Sequence, residues 1–99
     1  MTQRWPILYV FRNTVLPSHL QESLDAYVTT GQPLGGFLAA CVQNNLASAI
    51  NLADEANLPL IPAIVGYLFN ECPSGCWGCS KKYVTWLSIK SIENHERTD

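Results

Sequence analysis

Hydrophobic residues change their spacing along this chain, and each change marks an element. In WPILYVF, Trp5, Ile7, Tyr9 and Phe11 alternate with Leu8 and Val10, so apolar side chains fall on both faces of an extended segment. A strand over Trp5–Phe11, covered on both sides, is expected. Its backbone groups need a partner, supplied by a second copy, by another protein or by an irregular segment of the same chain. A segment draped on the core satisfies the same pattern.

From Leu16 the period becomes helical. Leu16, Leu20, Leu24, Tyr27 and Val28 share one stripe, Pro17 suits a first turn, and Gly31 supplies a stop. Gly35 and Gly36 open a second apolar stretch with Phe37, Leu38, Cys41 and Val42. Asn44 and Asn45 then end one helix and cap the next. Leu46, Ala49, Ile50 and Ala53 predict a third, amphipathic helix.

Ile61, Ile64, Val65, Leu68 and Phe69 form the stripe expected to be most deeply buried, in a helix that begins near Pro62. Ser80 is the expected N-cap of a last helix bearing Tyr83, Val84, Trp86, Leu87 and Ile89. The fold class read from this pattern is mainly α: a compact bundle of four to five short helices with an extended or β N-terminal segment. The organisation expected is an extended segment over 1–15, one helical domain over 16–92 and a polar tail over 93–99.

Composition sharpens this picture. Ninety-nine residues fit one domain, and charged residues make up only 14% against 47% apolar, so part of the surface is expected to meet a partner. The net charge of −2 hides an uneven distribution: all six Lys and Arg lie before Asn13 or after Ser80, with five acids and no base between. That leaves no basic stripe for nucleic acid. The longest uncharged apolar run, Leu58 to Phe69, is too short to span a bilayer and contains Pro59 and Pro62. No export signal is read at the N-terminus, so a cytoplasmic location with reduced thiols is expected.

The chemistry worth weighing lies in ECPSGCWGCS, Glu71 to Ser80. Cys72, Cys76 and Cys79 offer three zinc ligands, with Cys41, His19 or His95 as a fourth, although the second cysteine pair of a strong zinc signature is missing. Cys76 and Cys79 before a helix start, with Lys81 and Lys82 nearby, offer a dithiol, although the chain lacks the βαβ framework of a thioredoxin-like enzyme. The plain reading is a tight connection built on Gly75 and Gly78, with Trp77 folded back as a lid on the core. His19 is expected exposed in the first turn of its helix. GGFL lacks the spacing and the lysine of a phosphate loop, and no nucleophile elbow or HExxH occurs.

Several strings occur together in order: LPSHL at Leu16, GGFL at Gly35, NNLASAINLADEAN at Asn44, YLFNECPSGCWG at Tyr67, and a closing Val84/Trp86 pair. In this combination the chain resembles a family of small proteins encoded by tailed bacteriophages and prophages. Cys76 and Trp77 match that pattern, whereas Cys72 and Cys79 depart from it. The resemblance implies an accessory protein made inside a bacterial host.

The function expected is therefore non-enzymatic: binding a host protein, with inhibition of a defence or regulatory factor as the concrete form. Trp5, Tyr9, Phe11 and Phe37 are the candidate protein-binding residues, and a homodimer is a second possible association. No cofactor is expected, and a zinc-stabilised module and a thiol oxidoreductase are the alternatives. Neither nucleic acid nor membrane is an expected partner.

Overall fold

The computed structural model describes residues 8–96, with side chains through Glu93. The described residues fold as five helices behind a short hairpin: β1 Val10–Phe11, β2 Thr14–Val15, α1 Ser18–Thr30, α2 Gly36–Val42, α3 Leu46–Leu52, α4 Ile61–Glu71 and α5 Ser80–Glu96. Single 3-10 turns at Leu58–Leu60 and Ser74–Cys76 precede α4 and α5. The mainly α reading is correct.

The strand's partner is its own chain. Val10 pairs with Val15 and Phe11 with Thr14 in antiparallel register, and the Leu16 amide extends the ladder to the Tyr9 carbonyl at 2.8 Å. The strand is shorter than expected, and Trp5 and Ile7 lie outside the described residues. Arg12 makes the tight turn possible with a left-handed φ of 56°. The hairpin is not a separate segment, because Phe11 lies on α4 against Gly66, where a Cβ would come 2.6 Å from its ring.

Helix ends follow local chemistry. Pro17 precedes α1, and Gly31, at φ 75°, closes it by donating its amide to the Tyr27 carbonyl. Asn44 ends α2 in a left-handed conformation (φ 61°), and the Asn45 side chain accepts from the Ser48 amide to cap α3. Pro62 sits in the first turn of α4, where its missing amide is not needed. One expected cap moves by a residue: α5 already includes Ser80, and it is the Cys79 carbonyl that accepts from Tyr83 at 3.2 Å. The helix also runs on to Glu96, through the start of the expected polar tail.

The core joins Leu16, Leu24 and Tyr27 to Val42, Ala63, Ile64, Leu68 and Cys76, all with essentially no exposure. In α4 the buried face comprises Ile61, Ala63, Ile64, Gly66, Tyr67 and Leu68. The expected stripe is thus right at Ile61, Ile64 and Leu68 and wrong at Phe69, which is 73% exposed. The hairpin covers the Gly66 and Tyr67 side, so the enclosed sector of α4 is rotated away from Phe69. In α3 only Ala49 is buried, and Leu46 and Ile50 of the expected stripe face outward.

Candidate functional site

The segment 71–80 leaves α4 through Cys72 and Pro73, both extended, and makes one 3-10 turn before extending again at Trp77. The connection is fastened at two points. The Cys76 carbonyl accepts from the Tyr27 hydroxyl at 2.8 Å inside the core, and the Gly78 amide donates to the Val42 carbonyl at 2.8 Å. Gly78 has φ 116°, a conformation that a side chain would oppose. The turn therefore ties α1 and α2 to the start of α5.

Its sulfurs have unlike surroundings. Cys76 is fully buried and its thiol donates to the Pro73 carbonyl at 3.1 Å, whereas Cys72 is half-buried and Cys79 exposed. Burial, reinforced by the nearby Cys76, pushes the Cys72 thiol up to about 12. Burial alone lifts Cys41 to about 11, and burial also raises Cys76. Such thiols stay protonated at neutral pH and are poor nucleophiles.

Among the described residues, no group of three His, Cys, Asp or Glu side chains is placed to hold a metal. His19 is exposed on α1 as expected, Cys41 is buried on α2, and the His95 side chain lies outside the described residues. Trp77 packs back against the core as expected of a lid, without being fully buried. The small Cys76 fills the fully buried position, while the larger indole of Trp77 is half-buried. There it meets Phe69 edge-on, with ring centroids 6.3 Å apart.

The described aromatic residues of the N-terminal segment, Tyr9 and Phe11, are engaged inside the chain. Tyr9 donates its amide to the Gln21 side chain at 2.9 Å, accepts from Asn70 at 2.8 Å through its hydroxyl, and sets its ring edge-on to Tyr67. Tyr67 in turn donates its hydroxyl to the Asp25 carboxylate. Phe11 lies on Gly66, and Phe37 is half-buried against the core. Of the four candidate binding residues, Trp5 lies outside the described residues.

The apolar surface open to a partner is carried by residues that periodicity assigned inward or passed over. Phe69 and Trp77 form one pair. Val65, one turn before Phe69 on α4, shares a narrow cleft with Leu46, Ala49 and Ile61. A second exposed set lies on α5: Val84, Ile89 and Ile92. Two wider grooves, of about 670 Å³ and 430 Å³, flank the Gln32–Pro33 loop. The smaller is lined by His19, Glu22 and Ser23, but the Ser23 hydroxyl is turned to the His19 carbonyl at 3.1 Å, one turn back on α1. The three residues thus form no nucleophile and base pair.

No helix among the described residues is long and apolar enough to cross a membrane. No family model matches the chain, and no curated protein or solved structure matches it.

Proposed function

We propose that the chain is a non-catalytic protein-binding module whose working face centres on Phe69 and Trp77. Phe69 carries the reading. It sits on the most enclosed helix of the fold, yet the residue is 73% exposed and its ring stands against a second aromatic ring. Aromatic anchors contribute most where a partner can desolvate them, and Val65 and Leu46 extend the same apolar ground. The raised thiols of Cys41, Cys72 and Cys76 favour binding over thiol redox chemistry in this chain.

The resemblance to phage-encoded proteins supplies the setting. An accessory protein of this kind acts in the host cytoplasm by occupying a host protein, and blocking a defence or regulatory factor needs a compact face and no active site. Affinity capture from host lysate tests the face when three baits run side by side: wild type, Phe69→Asp, and Glu55→Lys as an exposed control. A protein retained by the first and third and lost from the second is the expected result. With that protein purified, Phe69→Ala should weaken binding at least about tenfold, or roughly 1.4 kcal/mol. Equal retention by Phe69→Asp would remove this face from the function.

A further inference from the structure

We propose that Tyr27, a core residue of α1, is a positioning residue for the aromatic face: through the Cys76 carbonyl it fixes the direction in which Trp77 leaves the backbone. The proposal rests on the function inferred above for Phe69 and Trp77, and adds how that face is kept in shape.

A side chain's direction is set by the two peptide planes that flank its Cα, because φ and ψ are rotations of those planes. Both planes at Trp77 are anchored. The one before it carries the Cys76 carbonyl, which accepts from the Tyr27 hydroxyl at 2.8 Å. The one after it carries the Gly78 amide, which donates to the Val42 carbonyl at 2.8 Å. Tyr27 and Val42 have no exposed surface and belong to different helices, α1 and α2, so neither anchor moves with the connection itself. Between them Trp77 stays extended, at φ −149° and ψ 168°, and its remaining freedom lies in the side-chain torsions. The Phe69 ring, edge-on with centroids 6.3 Å apart, limits those in turn.

Other bonds shape the connection from its own side. The Cys76 amide and thiol both donate to the Pro73 carbonyl, at 3.2 Å and 3.1 Å, and Lys82 donates to the Ser74 carbonyl at 3.1 Å. These stay within the connection and α5, whereas the Tyr27 bond crosses to the core. The Tyr27 ring has a fixed seat of its own, 5.3 Å from that of Tyr83, and burial raises its hydroxyl above the ordinary range, so it remains a donor at neutral pH. An indole already held in place loses less freedom when a partner immobilises it, an advantage of about two- to tenfold in affinity for one side chain. Because Tyr27 is fully enclosed it touches no partner, and its effect on binding must pass through Trp77.

Fluorine NMR of the full chain labelled with 5-fluorotryptophan tests the positioning without a partner. Trp5→Phe and Trp77→Phe assign the resonances of the three tryptophans. In Tyr27→Phe the Trp77 resonance should move towards its position in the urea-unfolded chain, while that of Trp86, seated on the backbone carbonyls of Tyr27 and Val28, stays in place. Gly66→Ala, which strains the hairpin side of α4 instead, should leave the Trp77 resonance unmoved, separating loss of the anchor from loss of stability in general. Should Tyr27→Phe fail to fold, Gly78→Ala reads the second anchor: a Cβ there comes no closer than 3.9 Å to the Lys82 side chain, so the strain of its φ of 116° stays local. In wild type, hydrogen exchange at the Gly78 amide should be as slow as in α4. With a protein retained by wild type and lost from Phe69→Asp, Tyr27→Phe should bind about two- to tenfold more weakly. A Trp77 resonance indifferent to the anchor variants overturns the proposal, as does a Gly78 amide that exchanges like an exposed loop, or an unchanged affinity. If Phe69→Asp loses no protein, the face itself fails as a function, and the fluorine and exchange measurements still decide whether Tyr27 holds Trp77.

Discussion

The two late helices have opposite surroundings. The hairpin, α2 and a 3-10 turn enclose α4, so six of its eleven residues are buried. Helix α5 lies along the outside, and its best-placed residues are only half-buried. Apolar character does not separate the two cases, because Phe69 is exposed on the enclosed helix while Trp86 is half-buried on the outer one. What separates them is the number of neighbours each face finds. Trp86 has a specific seat, where its indole nitrogen donates to the last carbonyls of α1, Tyr27 at 3.3 Å and Val28 at 3.2 Å. Lys90 lies over the same ring at 5.0 Å.

The comparison breaks most visibly inside α4. Leu68 has no exposed surface, so Leu68→Ala should cost about 2–5 kcal/mol through lost burial and the cavity left behind. Its neighbour Phe69, exposed apart from the edge contact with Trp77, should cost under about 0.5 kcal/mol when changed to Ala. Urea unfolding of the two variants reads the contrast directly. Equal losses would mean that the rotation of the buried sector away from Phe69 is wrong.

Next in size are two glycines, one seating each helix. At Gly31 a Cβ would collide with Lys90 of α5, and φ is 75° besides; at Gly66 it would come 2.6 Å from the Phe11 ring. Gly31→Ala combines left-handed strain with displacement of α5, and should destabilise by about 1–3 kcal/mol. Gly66→Ala should cost a similar or smaller amount, about 1–2 kcal/mol, because the hairpin it pushes against is short. Proton-exchange measurements distinguish the two: the first should loosen amides of α5, the second those of the hairpin. A loss of similar size, about 1–2 kcal/mol, is expected of Tyr27→Phe, which leaves the Cys76 carbonyl without its buried donor.

Helix ends were legible because the signals are local. Pro17, Gly31, the Asn44 and Asn45 pair and Pro62 each act through backbone geometry that requires no knowledge of the rest of the fold. The hairpin was not legible, since its turn places Arg12 rather than Gly or Asn at positive φ, and nothing in RN announces a reversal. Phe69 was misassigned for a related reason. Residues 61, 64, 65, 68 and 69 make as good a stripe as the buried set does, and only the distant hairpin contact on Gly66 decides between them. The candidate site suffered most. Tyr9 and Phe11 are apolar and aromatic whether they bind a partner or their own α4, and sequence spacing cannot report which surface reaches them first.

The connection between α4 and α5 yields the smallest effects and a test of sign. At neutral pH a thiol reagent should modify Cys79 readily and Cys41, Cys72 and Cys76 only as fast as the fold opens, because the first is exposed and the others are buried or half-buried. Cys79 also holds the position before α5 where an oxygen-bearing side chain would cap the helix. Cys79→Ser should therefore be neutral or stabilising, by under about 1 kcal/mol. Alkaline pH reaches the other thiols. The folded chain holds the Cys41 proton up to about 11 and the Cys72 proton up to about 12, against an ordinary value of 9.0 for each. Above pH 9 the unfolded chain loses these protons first, so the folded state binds more of them and stability falls as pH rises through the window between 9 and 12. Below the ordinary value both states are protonated and the full contribution of the two thiols is present. Melting temperatures of wild type and Cys72→Ala should therefore differ by a constant amount up to neutrality and converge above pH 9, as the wild type loses what its half-buried thiol contributed. Parallel curves across that range would mean that the Cys72 thiol is as accessible in the folded chain as in the unfolded one.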